Sequence, residues 1–391
     1  VTRVFERRAN VASRVPKRAF IFSEGWKRFR FPEGHPWKGE RAQVAYELAS
    51  RLDLFSGEDI VVLEPQRAPE EALLLFHQPR YLELLKKANR NERSPELLRH
   101  GLGTLDCPIF PGVYDYARWI VGGTLLGAEL IDRGEVGVAF NAAAGLHHGG
   151  ESFAAGFCYL NDVAVAINRL LRRGKRILYV EIDAHHGDQV QAAYWREARV
   201  LTISFHETTR SLFPWKGGHE SEIGEGRGKG FSVNVPMLED TTDEELDYAF
   251  ERIFPPLVRL FRPDIVVAQL GVDGHYLDSL SHLRLTNNSY CRAVRRIVEL
   301  SPRLLALGGG GYNLEVTSRG WTLAWALMRG VDPEETGFGG MFWGDSLASL
   351  KDRPQFVPDE LHLPARDHIR RVVDYIEEHV FPLHETTAPQ P

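Results

Sequence analysis

The chain has 391 residues, 43% hydrophobic and 26% charged, with a formal net charge of −6. That balance belongs to a folded globular protein: the negative charge leaves no general footprint for nucleic acid, and no apolar stretch is long enough to span a membrane. Three cysteines, Cys107, Cys158 and Cys291, form no Cys-x-x-Cys pair, which argues against a cysteine metal cluster and fits a reducing cytoplasm.

Residues 1–18 are locally basic, with Arg3, Arg7, Arg8, Arg14, Lys17 and Arg18 against Glu6. No apolar signal core follows, so they read as an N-terminal extension. Apolar, strand-like runs then recur at 136–140, 177–180, 200–205, 231–235, 265–270 and 304–307. Helical patterns fall between and after them, at 162–173, 243–261 and 289–299, and an amphipathic closing helix is expected at 366–380. Asn161 or Asp162 supplies a cap for the first of these helices and Gly174 ends it. The alternation predicts an α/β fold with a mostly parallel central sheet and helices on both faces. His77, His100, His362, His368, His379 and His384 read as surface or loop residues.

Chemistry concentrates where strands end. After the run 177–180 the chain continues Glu181-Ile182-Asp183-Ala184-His185-His186-Gly187-Asp188. Asp183 and His185 are two apart, so on an extended backbone they share a face, and a carboxylate and an imidazole converging from a strand end begin a divalent-metal site. A third ligand is offered by Asp273, which follows the run 265–270. Two Asp and one His leave a coordination position open, as hydrolytic metal sites require. Taken singly, each acid reads equally well as a cap or turn residue.

Two further loops complete the set. His147 and His148 stand in Gly145-Leu146-His147-His148-Gly149-Gly150, after the strand-like 136–140. Adjacent imidazoles can serve as general base and general acid, ligate a metal, or form a solvated pair. Four glycines, 308–311, follow the run 304–307 and lead into Tyr312; they permit close backbone approach, and the phenol is a neutral donor for a developing oxyanion. No Gly-Lys-Ser/Thr follows, which argues against a phosphate loop. Gly224 to Gly230 precedes a strand-like run rather than a helix, which argues against a dinucleotide loop.

These segments, with Gly156-Phe157-Cys158-Tyr159-Leu160-Asn161-Asp162 and Gln269 to Asp273, resemble the zinc-dependent histone deacetylase family. They are most similar to its bacterial class I-like members, including acetoin utilization deacetylases. The resemblance runs from about Phe20 to about Arg329 and implies the arginase/deacetylase fold and removal of acetyl groups from lysine ε-nitrogen or related amines. It implies Asp183, His185 and Asp273 as metal ligands, holding Zn2+ or Fe2+. His147 and His148 become the acid/base pair, with Asp188 hydrogen-bonded to the second histidine and Tyr312 polarising the acetyl carbonyl. Gly156, Phe157 and Phe213 wall the acyl-lysine tunnel. Leu280 and Asp106 stand at its rim, and Arg41 lines an internal channel. A structural K+ is implied at Asp183, Ser204, Glu181, His185 and Phe205. In one place the chain departs from the family: Glu181 stands where Asp is usual, and the extra methylene is expected to shift His147 or to fold the glutamate rotamer. Gln189 replaces a common Gly and reads as a local loop adjustment.

With candidate site residues spread from Asp106 to Tyr312, residues 19–383 read as one deacetylase domain and 384–391 as a frayed tail. The function expected is hydrolysis of acetyl-lysine in proteins, with an acetylated metabolic enzyme as one candidate substrate, in the cytoplasm, with no nucleic-acid or membrane partner. The alternatives are deacetylation of small acetylated amines of the acetylpolyamine type and non-catalytic acyl-lysine binding. An arginase-type dinuclear site lacks its extra Asp-rich motif here.

Overall fold

The computed structural model describes residues 17–333 and 346–385. Residues 1–16 of the expected N-terminal extension, and 386–391 of the expected tail, lie outside the described residues. Eight strands form one sheet: β1 (Lys17–Ile21), β2 (Ile60–Leu63), β3 (Val136–Asn141), β4 (Ile177–Glu181), β5 (Val200–Glu207), β6 (Ser232–Met237), β7 (Ile265–Gln269) and β8 (Leu304–Leu307). Their order is β2-β1-β3-β8-β7-β4-β5-β6, and every neighbouring pair is parallel.

Burial on both faces explains the continuous apolar runs. Along β4, Leu178 and Val180 enter one core while Ile177 and Tyr179 enter the other; along β8, Leu304 and Ala306 part from Leu305 and Leu307 in the same way. One face is covered by helices Val113–Asp132 and Asp162–Leu171. The other is covered by Arg41–Arg51, Asp243–Phe261, Asn287–Leu300, Leu314–Met328 and Asp359–His379.

The six expected strands and the helix at 243–261 are present. The latter starts with a capping box between Thr242 and Glu245 and continues through Pro255 and Pro256. β1 and β2 were not expected. Lys17 and Arg18, read as part of the extension, open β1, where the Arg18 side chain pairs with Asp59 and its Nε donates to Met328 O at 2.8 Å. The closing helix starts at Asp359, ahead of the expected 366, because Pro364 is accommodated inside it. His384 is not frayed: it is buried, with Nε2 2.7 Å from Gly230 O. His77 is likewise buried rather than at the surface, and its Nε2 accepts the Asn161 N–H at 2.9 Å.

Candidate active site

The carboxyl ends of β3, β8, β7, β4 and β5, five consecutive strands, deliver the site loops to one edge of the sheet, the usual place for ligands in parallel α/β sheets. β4 ends at Glu181, so Asp183 and His185 lie just past the strand, not on it. The chain there stays tightly held. Asp183 Oδ2 accepts from Gln269 Nε2 at 2.6 Å and from Gly310 N at 2.7 Å, and Asp273 Oδ1 accepts from Ala184 N at 2.8 Å. Those bonds leave Asp183 Oδ1 and Asp273 Oδ2 facing His185 Nδ1, at 3.2 and 2.8 Å.

All three residues are buried, and their ligand atoms lie within 4.8 Å of one another. Two carboxylates and an imidazole, each oriented by other bonds, suit a divalent cation. Burial disfavours a charged His185, but hydrogen bonds to Asp183 and Asp273 outweigh it and hold the imidazole at about 10. Burial, with the neighbouring Asp183 charge, pushes Asp273 up to about 7. Such convergence of acids is relieved by a cation.

The histidine loop is anchored by the next helix. Asn161 caps that helix through Ala164 N at 2.8 Å while its Nδ2 donates to the carbonyls of His147 and Gly149 at 3.3 and 3.0 Å. The buried Asp162 carboxylate accepts from Leu146 N at 2.7 Å and from Gly145 N at 3.2 Å. The His147 and His148 rings are thereby fixed 4.1 Å apart. Each is backed by a carboxylate at Nδ1: Glu181 Oε2 at 2.8 Å from His147 and Asp188 Oδ1 at 2.9 Å from His148. Both Nε2 atoms are left for chemistry.

The two imidazoles are driven apart in basicity. Burial opposes charge on His147, yet the Glu181 and Asp183 carboxylates outweigh it and hold it at about 9. Burial and the neighbouring His147 keep His148 below its ordinary value. Gln189 Nε2 donates to the free oxygen of Asp188 at 2.7 Å, so this departure supports the His148 dyad.

Tyr312 sits between β8 and helix Leu314–Met328, whose start is capped by Asn313. Burial and the nearby Asp273 and Asp183 carboxylates push its phenol well up, so it stays a neutral donor. Its ring lies 6.2 Å from that of His185 and edge-on to Phe157 at 5.7 Å. Phe213 lies edge-on to His148 at 4.9 Å, so both expected tunnel aromatics border the site. Gly156 has φ +53, and a Cβ there would fall 2.2 Å from His148 Cδ2; only glycine fits. Its N–H is held by Asp106 Oδ2 at 2.7 Å, which ties the expected rim aspartate to the tunnel wall. Leu280 is half-buried on the loop after Asp273.

Arg41 is buried at the start of its helix. It donates to the carbonyls of Gly309 and Gly311 at 2.9 and 3.0 Å and stacks 3.6 Å above Trp37. It therefore clamps the glycine loop that carries Tyr312. Of the residues expected around a potassium, Ser204 donates its hydroxyl to Glu181 and is 2.7 Å from His206 Nδ1, while the Phe205 ring packs in the core against Phe250. His186 turns its ring to that of His206, 4.6 Å away.

Two residues escaped the sequence reading. Gln269 orients Asp183, as above. Asp278 Oδ2 accepts from the backbone N–H groups of Tyr312 and Asn313 at 2.7 and 3.2 Å. A polar residue ending a buried apolar strand was a signal for Gln269; nothing in the sequence spacing marked Asp278.

Fold and site together put a candidate divalent-metal site, Asp183, His185 and Asp273, at the carboxyl edge of a parallel sheet. Residues 35–328 match the family model of the histone deacetylase domain, and the chain belongs to the histone deacetylase family. It is 38% identical over 322 residues to the acetoin utilization protein AcuC of Bacillus subtilis (strain 168), covering 80% of this chain and 82% of that protein. It is 33% identical over 302 residues to histone deacetylase 1 of Homo sapiens, covering 76% of this chain and 62% of that protein; the chain thus spans a little under two thirds of that relative. A crystal structure of a histone deacetylase homologue in complex with SAHA superposes with a TM-score of 0.79 at 30% identity, over 92% of this chain and all of that one. A homologue from Aquifex aeolicus gives 0.78, also at 30% identity, over 91% of this chain and all of that one. The arginase/deacetylase fold expected from the sequence is the fold observed, and the protein is a hydrolase of this family. Among the described residues no helix is long and apolar enough to cross a membrane.

Proposed function

We propose that the protein is a zinc-dependent lysine deacetylase that hydrolyses the acetyl amide of acetyl-lysine in proteins. Ferrous iron suits the same Asp-His-Asp donors. The observation that carries the reading is the convergence, on one buried spot, of Asp183, His185 and Asp273 with two carboxylate-backed imidazoles and a neutral phenol. A bound divalent cation supplies Lewis acidity to a carbonyl and lowers the pKa of water.

The chain's own residues do the rest. Tyr312 donates its phenol hydrogen to the acetyl oxygen, most strongly as charge develops there. One imidazole of the pair takes a proton from the attacking water and an imidazolium of the pair gives one to the leaving amine. Asp188 and Glu181 fix both rings with Nε2 forward. Phe157 and Phe213 bracket an apolar passage that fits a lysine stem capped by a neutral amide, whereas an ammonium would enter it without compensation.

A potassium at Asp183, Ser204, Glu181, His185 and Phe205, a cytoplasmic location and an acetylated metabolic enzyme as substrate are part of the same proposal, supported by kinship with AcuC. Protein and small-amine substrates are separated by acetate release from acetyl-lysine peptides and from acetylated polyamines. Higher kcat/KM on peptides is the result expected, and preference for polyamines would overturn the protein-substrate reading.

A further inference from the structure

Most of the tryptophans placed by the fold are hidden: Trp26, Trp37, Trp321 and Trp325 are all buried. Trp215 is the opposite, with 64% of its surface exposed. Its backbone has φ +62, a conformation costly for a bulky side chain. A large apolar residue held outward in a strained backbone gives nothing to the core, so the fold pays for it without return in stability. The turn that presents it is fixed, since Trp215 N donates to Leu212 O at 3.2 Å.

Its position gives it a use. Trp215 is two residues beyond Phe213, whose ring packs on His148, and the tight turn from Leu212 to Trp215 keeps the two close. Across the site, Leu105 (97% exposed) precedes Asp106, and Leu277 (46% exposed) precedes Asp278, the residue that holds the Tyr312 backbone. The loops supplying the site thus carry outward apolar side chains just outside it. A substrate that threads one side chain between Phe157 and Phe213 has to leave its neighbouring residues on these loops, about 3.8 Å further on per residue. Indole is the side chain best suited to anchoring such a contact, because it buries a large area at low entropic cost.

Resting on the deacetylase reading, we propose that Trp215 is a specificity-determining residue: a docking platform for a large aliphatic or aromatic residue adjacent to the acyl-lysine of an extended peptide. The platform selects protein segments in which the modified lysine has an apolar neighbour.

The test compares two acetyl-lysine peptides that differ only in Leu or Ser beside the modified lysine, with the wild-type protein, Trp215→Gly and Trp215→Phe. Glycine accepts a φ of +62, so that substitution relieves the backbone and keeps the fold. The expected result is that wild type prefers the Leu peptide, that Trp215→Gly lowers the Leu-to-Ser ratio of kcat/KM about ten-fold through KM with kcat little changed, and that Trp215→Phe restores most of it. A ratio that Trp215→Gly leaves unchanged would overturn the platform. So would a change from dimer to monomer with that ratio intact, which would make Trp215 a subunit contact. Absence of turnover by wild type on both peptides is a different failure: it would overturn the deacetylase reading and take the platform with it.

Discussion

Glu181 Oε2 reaches His147 Nδ1 at 2.8 Å, although this chain carries glutamate where its family usually has aspartate. The extra methylene does not cost the histidine its partner. The carboxylate is gripped from other sides by the Tyr179 and Ser204 hydroxyls and by Gly187 N at 2.6 Å. Every strong donor around this buried anion is therefore used. Its pKa is lowered because, although burial favours the neutral acid, the charge and hydrogen bond of His147 and the hydroxyl donors outweigh it.

Glu181→Gln keeps the shape but removes the charge and turns an amide toward those donors. It is expected to lower kcat about 10- to 100-fold, the usual effect of losing the carboxylate behind a functional imidazole. Glu181→Asp keeps the charge and is expected to lose less. Steady-state kinetics on an acetyl-lysine peptide decide; equal activity of the Gln variant and wild type would show that His147 needs no anionic partner.

Metal loading is expected to depend on pH through His185. In the stripped protein the imidazole is held at about 10 by Asp183 and Asp273 against the effect of burial, so near neutrality Nδ1 carries a proton. A ligating nitrogen has to lose it. Apparent zinc affinity is thus expected to rise at least about ten-fold per pH unit between pH 6 and 8, with Asp273, held at about 7, adding to the slope at the lower end, read by competition with a chromophoric chelator. A flat profile would contradict this protonation of His185.

His77 predicts acid sensitivity of the fold. Burial lowers its pKa to about 4, from about 6.5 for a free imidazole. A depressed histidine binds its proton more weakly in the folded state, so its contribution is complete above pH 6.5 and is lost as pH falls toward 4. The shift corresponds to about 3 kcal/mol. Denaturant titrations across that window are expected to show falling stability, with a flatter profile in His77→Gln, which keeps an acceptor for Asn161 N but cannot charge. Identical profiles would remove His77 from the account.

Asp278 is expected to position Tyr312 through the backbone. Asp278→Ala leaves the N–H groups of Tyr312 and Asn313 without their carboxylate. A loss of about ten-fold in kcat is expected from such support, with KM little changed and partial rescue in Asp278→Asn, which retains an acceptor. A KM effect alone would make Asp278 a substrate contact instead.

How much was legible follows from where information lies. The six strands β3 to β8 announced themselves because both faces are buried, so Val200–Glu207 and Ile265–Gln269 read as continuous apolar runs. β1 mixes Lys17 and Arg18 into five residues, and β2 is a four-residue edge strand with Val62 in solvent, so neither carries a pattern. The metal ligands, the histidine pair and Tyr312 stand directly after strands, where an acid or imidazole breaks the hydrophobic pattern. Of their supports, Asn161 was legible as a helix cap, whereas Asp278 and the clamp that Arg41 makes act through hydrogen bonds across distant segments. Arg41 and Gly309, for example, are 268 residues apart, and no local pattern reports that.

The most direct measurement is acetate release from an acetyl-lysine peptide by the zinc-loaded protein, the metal-stripped protein and zinc-loaded Tyr312→Phe. Turnover by the first, loss on stripping with recovery on zinc addition, and a fall of about 100-fold or more in kcat for Tyr312→Phe are the results predicted for an oxyanion donor of this kind. Turnover that survives both stripping and Tyr312→Phe, or none with zinc demonstrably bound at Asp183, His185 and Asp273, would contradict the account.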